Sequence, residues 1–280
     1  MKKILLFSCD PGGANTIIPL VEKFEEKFDV RLFGKGVSLK RYSSFGLKGH
    51  NIKRDIKETN LLEVKKFLKK ECPDCVITGT SSDDVTEKLL WRASGDMGIP
   101  SFAIVDQWMS YGIRFSKYGT PEAEKYNKSP SHDFQPDKIF LMDNYAKKEM
   151  RKIGFNPAKL IVTGQPYFDL IKDYKKNFRK RNINTFKKKY DIPMSDKLVV
   201  FASEPLEALY KGMNKKDYYW GYTEKIIIKT LLNELKTLVA ENKIRLTLVL
   251  KIHPKEDEKG IIRLMSHEQN LNFNVKIIKK

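Results

Sequence analysis

Apolar residues along the chain fall into short unbroken runs, and between the runs they recur with helical spacing. Read in order, the pattern predicts strand Lys3–Ser8, helix Asn15–Phe28 and strand Val30–Phe33, then a Gly-containing segment to about Lys53. Helix Leu61–Lys70, strand Cys75–Thr78, helix Val85–Ser94 and strand Ser101–Val105 follow. A long loop leads to strand Lys138–Met142, helix Tyr145–Ile153 and strand Leu160–Thr163. Strands that are apolar at successive positions are buried on both faces, and their alternation with helices implies a parallel sheet. The expected class is α/β, doubly wound, with right-handed crossovers.

Residues 170–194 break the pattern: they are polar and basic and end in Ile192-Pro193. The alternation then restarts with strand Lys197–Ala202, helix Glu224–Ala240, strand Leu246–Ile252, a weaker helix near Lys259–Glu268 and strand Phe273–Ile278. The expected organisation is two Rossmann-like units, residues 1–170 and 195–280, joined by a basic linker over 171–194. The second unit shows three strands, fewer than a full doubly wound half, and is expected to be truncated or reduced.

Composition narrows the class. Of 280 residues, 41% are hydrophobic, enough to bury a core and to exclude a disordered tail. No apolar run approaches the ~20 residues of a membrane span. The opening Met1-Lys2-Lys3-Ile4-Leu5-Leu6-Phe7 is cut short by Asp10-Pro11, so it reads as a first strand rather than a signal segment, and the protein as cytoplasmic. A net charge of +18 favours anionic partners. The densest cluster is "KDYKKNFRKRNINTFKKK", Lys172 to Lys189, a linker or exposed helix suited to peripheral contact with an acidic membrane, its inner face. No helix-turn-helix or RNA-binding signature supports a specific nucleic acid. Cys72-Pro73-Asp74-Cys75 lacks the second pair a structural zinc site needs, and it follows a helix rather than opening one, so neither metal nor redox chemistry is expected there.

Candidate chemistry collects where strands end. In "LFSCDPGGANTIIPL" an apolar strand stops at Asp10; Pro11, Gly12 and Gly13 are read as a tight turn with positive φ available, and Asn15 or Thr16 as the cap of the next helix. The exposed N–H groups would seat an anion or a sugar; the plain alternative is a βα turn that is Gly-rich for geometry alone. In "LVLKIHPKED" His253 stands at the end of a strand beside Lys255, a pair suited to holding a diphosphate. "VVFASEPLEA" places Ser203 and Glu204 at another strand end, and "VTGQPYFDLI" reads as a hinge. Loop Gln107–Pro136, long for this class, carries Trp108, Tyr111, Arg114, Tyr118, Glu122, Glu124 and His132.

Taken in order, "DPGGAN", "CPDCVITGTSSDD", "IPSFAIVDQWMSYGIRF", "PDKIFLMDNYAKKEMRKIGFNPAKLIVTGQPYFD" and "KIHPKED" resemble the GT-B glycosyltransferase architecture. Within it the chain is most similar to the hydrolysing UDP-N-acetylglucosamine 2-epimerases and to CDP-glycerol glycerophosphotransferase- and polysialyltransferase-like proteins. Against the epimerase pattern, Pro73-Asp74-Cys75-Val76, Gly79 and Val162-Thr163-Gly164 match, and Pro121-Glu122 matches in part. Thr80 stands where a catalytic Asp is expected, Asp106 replaces a Glu, and the second-domain His-Arg-x-Glu-Asn has no counterpart. The transferase pattern matches at His253-Pro254. That resemblance implies transfer of a sugar or alditol phosphate from a nucleotide-sugar or CDP-alcohol donor to a saccharide or lipid-linked acceptor, in surface polysaccharide biosynthesis. The first unit would take the acceptor and the second the nucleotide. Asp10, or alternatively Asp106, would be the base; His253 and Lys255 would hold phosphates; Gly12, Gly13, Asn15, Arg114, Ser203 and Glu204 would contact substrate. Neither metal nor cofactor is implied. An epimerase-like enzyme and a non-catalytic truncated binding module are the alternatives.

Overall fold

Strand β1 (Lys3–Ser8) is buried from Ile4 to Ser8, as its continuous apolar run requires. Its side chains alternate between two cores: Leu5 and Phe7 face one layer of helices, Ile4 and Leu6 the other. The computed structural model describes residues 1–178, 180–211, 221–268 and 270–279, and resolves the chain into two units, Met1–Asn177 and Phe178–Lys280.

In the first unit β1 is joined by β2 (Asp29–Gly34), β3 (His50–Asn51), β4 (Cys75–Thr78), β5 (Ser101–Ile104), β6 (Lys138–Leu141) and β7 (Leu160–Val162). All pairings are parallel, in the order β3-β2-β1-β4-β5-β6-β7. Helix α1 (Pro11–Glu25) covers one face with Ala14, Ile17, Ile18 and Val21. After α2 (Val37–Ser43), helices α3 (Leu61–Glu71) and α4 (Thr86–Asp96) cover the other with Val64, Phe67, Leu68, Leu90 and Ala93. From β1 the chain winds outward one way through β2 and the other way through β4. The carboxyl ends of β1 and β4 therefore border the switch-point crevice in which this class binds ligands.

Two expectations change. Helix α1 begins at Pro11, not Asn15, and Asp10 rather than Asn15 or Thr16 is its N-cap. Gly12 and Gly13 are helical and have no positive φ. Low glycine propensity argued against a helix there; close approach to neighbouring groups explains the glycines instead. The basic stretch, read as a linker or an exposed helix, is largely helical. Helix α5 (Ala123–Lys128) interrupts the long loop, α6 (Asn144–Lys152) precedes β7, and α7 (Pro166–Asn177) and α8 (Lys180–Lys189) occupy the basic region. Leu170 of α7 packs on the α1 side of the first core. Cys72 caps α3 in a left-handed turn at φ 48°, and Cys75 begins β4. Among the described residues no group of His, Cys, Asp and Glu could hold a metal ion.

The second unit has β8 (Lys197–Ala202), α9 (Leu206–Lys211), α10 (Glu224–Asn242), β9 (Leu246–Ile252), α11 (Glu258–Ser266) and β10 (Asn274–Lys279). Its strands are parallel in the order β10-β9-β8. Ile228, Leu232, Leu235 and Val239 of α10 pack on Leu246, Leu248, Leu250 and Ile252 of the central strand. Buried Lys187 of α8 donates to the carbonyls of Met194 (3.0 Å) and Asp196 (2.6 Å), which ties this helix to the entrance of β8. No helix among the described residues is long and apolar enough to cross a membrane.

Candidate functional site at the carboxyl edge of the first sheet

Asp10 follows β1 and caps α1. Its Oδ1 accepts the Gly13 N–H at 2.6 Å, so a carboxylate meets the positive end of the helix. Pro11 at the first helical position costs no hydrogen bond there. The two glycines let three strand ends converge. A Cβ on Gly79, after β4, would stand 2.6 Å from Gly13 Cα, so helix and strand end touch backbone to backbone. A Cβ on Gly12 would stand 1.7 Å from Asp106 Oδ2, so the carboxylate after β5 fills that space. The helix terminus expected to seat a foreign anion thus already has two carboxylates of the protein against it.

Asp106 pairs with Arg114 at 2.6 Å, and the side chains are only 11% and 3% exposed. Arg114 Nη1 also donates to the Thr80 carbonyl (2.6 Å) and hydroxyl (2.9 Å), linking the ends of β4 and β5, while its Nε is buried with no acceptor among the described residues. Gln165 Nε2 donates to the Asp106 carbonyl at 2.9 Å. The segment read as a hinge therefore also holds the site.

Helix α4 anchors the facing wall through two adjacent buried charged residues. Lys88 Nζ donates to the carbonyls of Ser82 (3.0 Å), Tyr118 (3.0 Å) and Ile113 (3.4 Å), and burial pulls its pKa down from the usual lysine value. Glu87 is fully buried; its Oε2 accepts the Ser81 N–H, and its Oε1 has no partner among the described residues. Burial, then the nearby Asp10 charge, holds the Glu87 carboxyl well above the ordinary range. Burial also raises Asp10, helped by Asp106 and opposed by Gly13 N–H, Arg114 and Ser81. Asp84 behaves oppositely. Burial works against its charge, but hydrogen bonds from Lys35 and Thr86 outweigh that and hold it low. Cys9, buried beside these acids, has its thiol pushed far up by desolvation and then by Glu87 and Asp10, which makes it inert as a nucleophile.

These groups border a cavity of about 580 Å³ lined by Asp10, Gly12, Lys35, Lys53, Ser81–Asp84, Asp106 and Arg114. Its two innermost cations, Lys35 and Arg114, are already paired with Asp84 and Asp106. The remaining polar surface suits hydroxyl groups. Asn15 is elsewhere, its Oδ1 accepting from Arg41 Nε at 2.8 Å. In the long loop, Trp108 Nε1 donates to Asp143 (2.7 Å) and Tyr111 is buried. Tyr126 hydroxyl meets His132 Nε2 at 3.2 Å over Gly112, where a Cβ would overlap the phenol oxygen. Arg114 is the residue of this loop that pairs with Asp106.

In the second unit, the buried Glu256 organises the ends of β8 and β9. Its Oε1 accepts the Ser203 hydroxyl at 2.5 Å and its Oε2 accepts the His253 N–H. Lys255 N donates to His253 Nδ1 at 3.1 Å. That bond makes Nδ1 an acceptor, so a neutral His253 carries its proton on Nε2. Glu204 and Lys255 are exposed. Sequence reading did not single out Glu87, Ser81, Lys35, Asp84 or Glu256. Glu256 lies three residues after His253, a spacing that could have pointed to it.

No family model matches the sequence, and no curated protein matches it. Solved structures do match over the whole chain, at low identity. The UDP-GlcNAc 2-epimerase from Methanocaldococcus jannaschii is similar with TM-score 0.64 and 15% identity, covering 100% of this chain and 73% of that one. The UDP-GlcNAc 2-epimerase from Neisseria meningitidis, bound to UDP-GlcNAc, gives 0.61 and 16% over 100% and 72%. Anabaena HepE in complex with UDP-glucose gives 0.60 and 11% over 100% and 69%. The fold is GT-B-like, as the motifs led us to expect.

Proposed function

We propose that this chain is a GT-B-type transferase that moves a sugar or alditol phosphate from a nucleotide-activated donor to a saccharide or lipid-linked acceptor during surface polysaccharide assembly. The observation that carries the reading is Asp10. It lines the switch-point cavity, is held by the α1 terminus, and has its pKa raised towards the range of a useful general base. In this reading the acceptor O–H gives its proton to Asp10. The acceptor oxygen bonds to the donor's sugar carbon or phosphorus, and the bond to the nucleotide leaving group breaks. Asp106 is occupied by Arg114 and is assigned to holding the cavity. Hydroxyls of the acceptor suit the Ser81–Asp84 wall and Gly12. The second unit is assigned the donor phosphates, with the Nε2–H of His253 and the ammonium of Lys255 as donors of charge-assisted hydrogen bonds. Ser203 and Glu204 are assigned to the same group.

UDP-GlcNAc and UDP-glucose bound in the Neisseria and Anabaena proteins support a uridine nucleotide as the first donor to try. An epimerase-like activity is the second reading, favoured by the identity of several similar structures. Against it, Thr80 offers no ionisable group and its hydroxyl is taken by Arg114. The stretch 172–189, with nine Lys or Arg against one Asp, suits an acidic membrane surface, where each cation contributes about 1 kcal/mol.

A thermal-shift screen of UDP, CMP, CDP and GDP derivatives selects the donor. Product analysis with and without acceptor then separates transfer from epimerisation. Asp10→Asn is expected to bind donor normally and to lose transfer; full turnover by that variant would overturn Asp10 as the base. Binding with no turnover under any acceptor would leave a nucleotide-sugar-binding module in place of an enzyme.

A further inference from the structure

Helix α7 is fastened to its unit along one side. Leu170 packs on the α1 side of the core, the Tyr167 hydroxyl accepts from Arg41 at 2.9 Å, and Asp169 meets Lys23 at 3.8 Å. No residue of the helix is buried. Three of its large apolar side chains face solvent at three-residue spacing: Phe168 is 52% exposed, Ile171 49% and Tyr174 75%. Trp108, also exposed, stacks on Phe168 with ring centres 6.2 Å apart, so the apolar surface continues from the helix onto the long loop. A contiguous apolar patch of this kind marks a surface that meets a partner.

Charge selects the partner. Lys172, Lys175 and Lys176 stand among these side chains, while the two acids of the helix, Asp169 and Asp173, are taken by Lys23 and Lys176. Lys172 and Lys175 have no partner among the described residues. Protein interfaces are depleted in lysine, which disfavours a protein on this face. An apolar stripe edged by unpaired lysines is complementary to a bilayer with anionic headgroups. The stripe enters the acyl boundary, and the ammonium groups reach the phosphates on flexible stems. Indole and phenol rings favour that same boundary, and the net charge of +18 draws the chain to it.

We propose that α7 is an in-plane membrane anchor: Phe168, Ile171 and Tyr174, joined by Trp108, enter the headgroup boundary of an anionic bilayer, and Lys172 and Lys175 hold its phosphates. This deepens the reading of a lipid-linked acceptor, and its purpose rests on that reading. The charge of 172–189 names no face; the apolar stripe does. Gln165, the residue before α7, holds the Asp106 carbonyl at the cavity, so the docked helix brings the cavity rim to the surface where such an acceptor is presented.

The test is co-sedimentation of the full chain with vesicles, free of donor and acceptor. Vesicles of phosphatidylglycerol and phosphatidylcholine in equal parts are expected to bind it, and phosphatidylcholine alone to bind it far less. Ile171→Ser with Tyr174→Ser, both on the surface and so expected to fold as wild type, should weaken binding about tenfold. Lys172→Gln with Lys175→Gln should weaken it about 30-fold, each charge contributing about fivefold. Brominated acyl chains should quench the tryptophan fluorescence of wild type, and Trp108→Phe should lose most of that quenching; an unquenched Trp108 would contradict insertion. Binding unaltered by the Ile171 and Tyr174 changes would overturn α7 as the anchor. So would no binding to anionic vesicles, or a dimer in sedimentation velocity that the same double variant disperses. None of these results touches transfer, which is scored with a water-soluble acceptor. Failed transfer with vesicle binding intact would instead sink the proposed function and leave the anchor standing.

Discussion

The Asp106 carboxylate occupies the place where a side chain on Gly12 would begin, its Oδ2 1.7 Å from an ideal Cβ. The glycine and the acid are therefore one fitted unit, 94 positions apart in sequence.

Gly12→Ala should reverse the usual helix rule. In a helix this change normally stabilises by about 0.5–1 kcal/mol. Here it must displace Asp106 and disturb its pair with Arg114, so a net loss of about 1–3 kcal/mol is expected. Gly95→Ala, in α4 with open space around its Cβ, is the control and should stabilise by about 0.5–1 kcal/mol. Urea unfolding of both variants checks the opposite signs.

Asp106→Asn should destabilise strongly because it leaves the Arg114 guanidinium buried beside a neutral amide. Breaking a buried pair from one side costs about 3–5 kcal/mol. Replacing both residues, Asp106→Leu with Arg114→Met, should recover part of that loss. A double-mutant cycle by chemical denaturation measures the difference, and strictly additive losses would contradict the pairing.

Asp84 should set part of the acid limb of the stability curve. Its folded pKa is lowered because the hydrogen bonds from Lys35 and Thr86 outweigh burial. A lowered folded pKa means stability that is present above the unfolded value of 3.8 and is lost as pH falls through the folded value. Asp84→Asn should be less stable than wild type at pH 7 and should show a flatter decline below about pH 4. Glu87, in the first turn of α4, works in the opposite direction, so the two acids separate in a single pH series.

Glu256→Ala should damage the second unit in two ways. It removes the acceptor of the Ser203 hydroxyl and of the His253 N–H, a loss of about 2 kcal/mol when a buried donor is left unmet. If His253 holds donor phosphates, UDP affinity measured by calorimetry should fall as well. A destabilised variant with unaltered UDP affinity would confine Glu256 to a structural role.

The strands were legible because an unbroken apolar run marks each one: Cys75–Thr78, Lys197–Ala202 and Leu246–Ile252 have the expected bounds, although Lys197–Ala202 is only partly covered. The start of α1 was not legible. Pro-Gly-Gly reads locally as a turn, and the reason it is helical lies in Gly79 and Asp106, far off in sequence. Glu87 and Lys88 escaped for a related reason. Charged residues on an amphipathic helix read as its solvent side, and only the walls they hold explain why they face inward. Asp10 and Asp106 could be found because strand ends mark their positions, and Arg114 because its loop is long; that the three meet could not, because each comes from a different stretch of the sequence.

Gln165 gives this arrangement a mechanical side. As the chain leaves the seven-stranded sheet it turns at Gly164, with φ 89°, and the next side chain grasps the Asp106 carbonyl. The exit from the sheet is thereby fastened to the floor of the cavity. Lengthening or shortening the backbone at this turn would pull on Asp106 directly, so tolerance to insertions should be low here even though the turn itself is a surface bend.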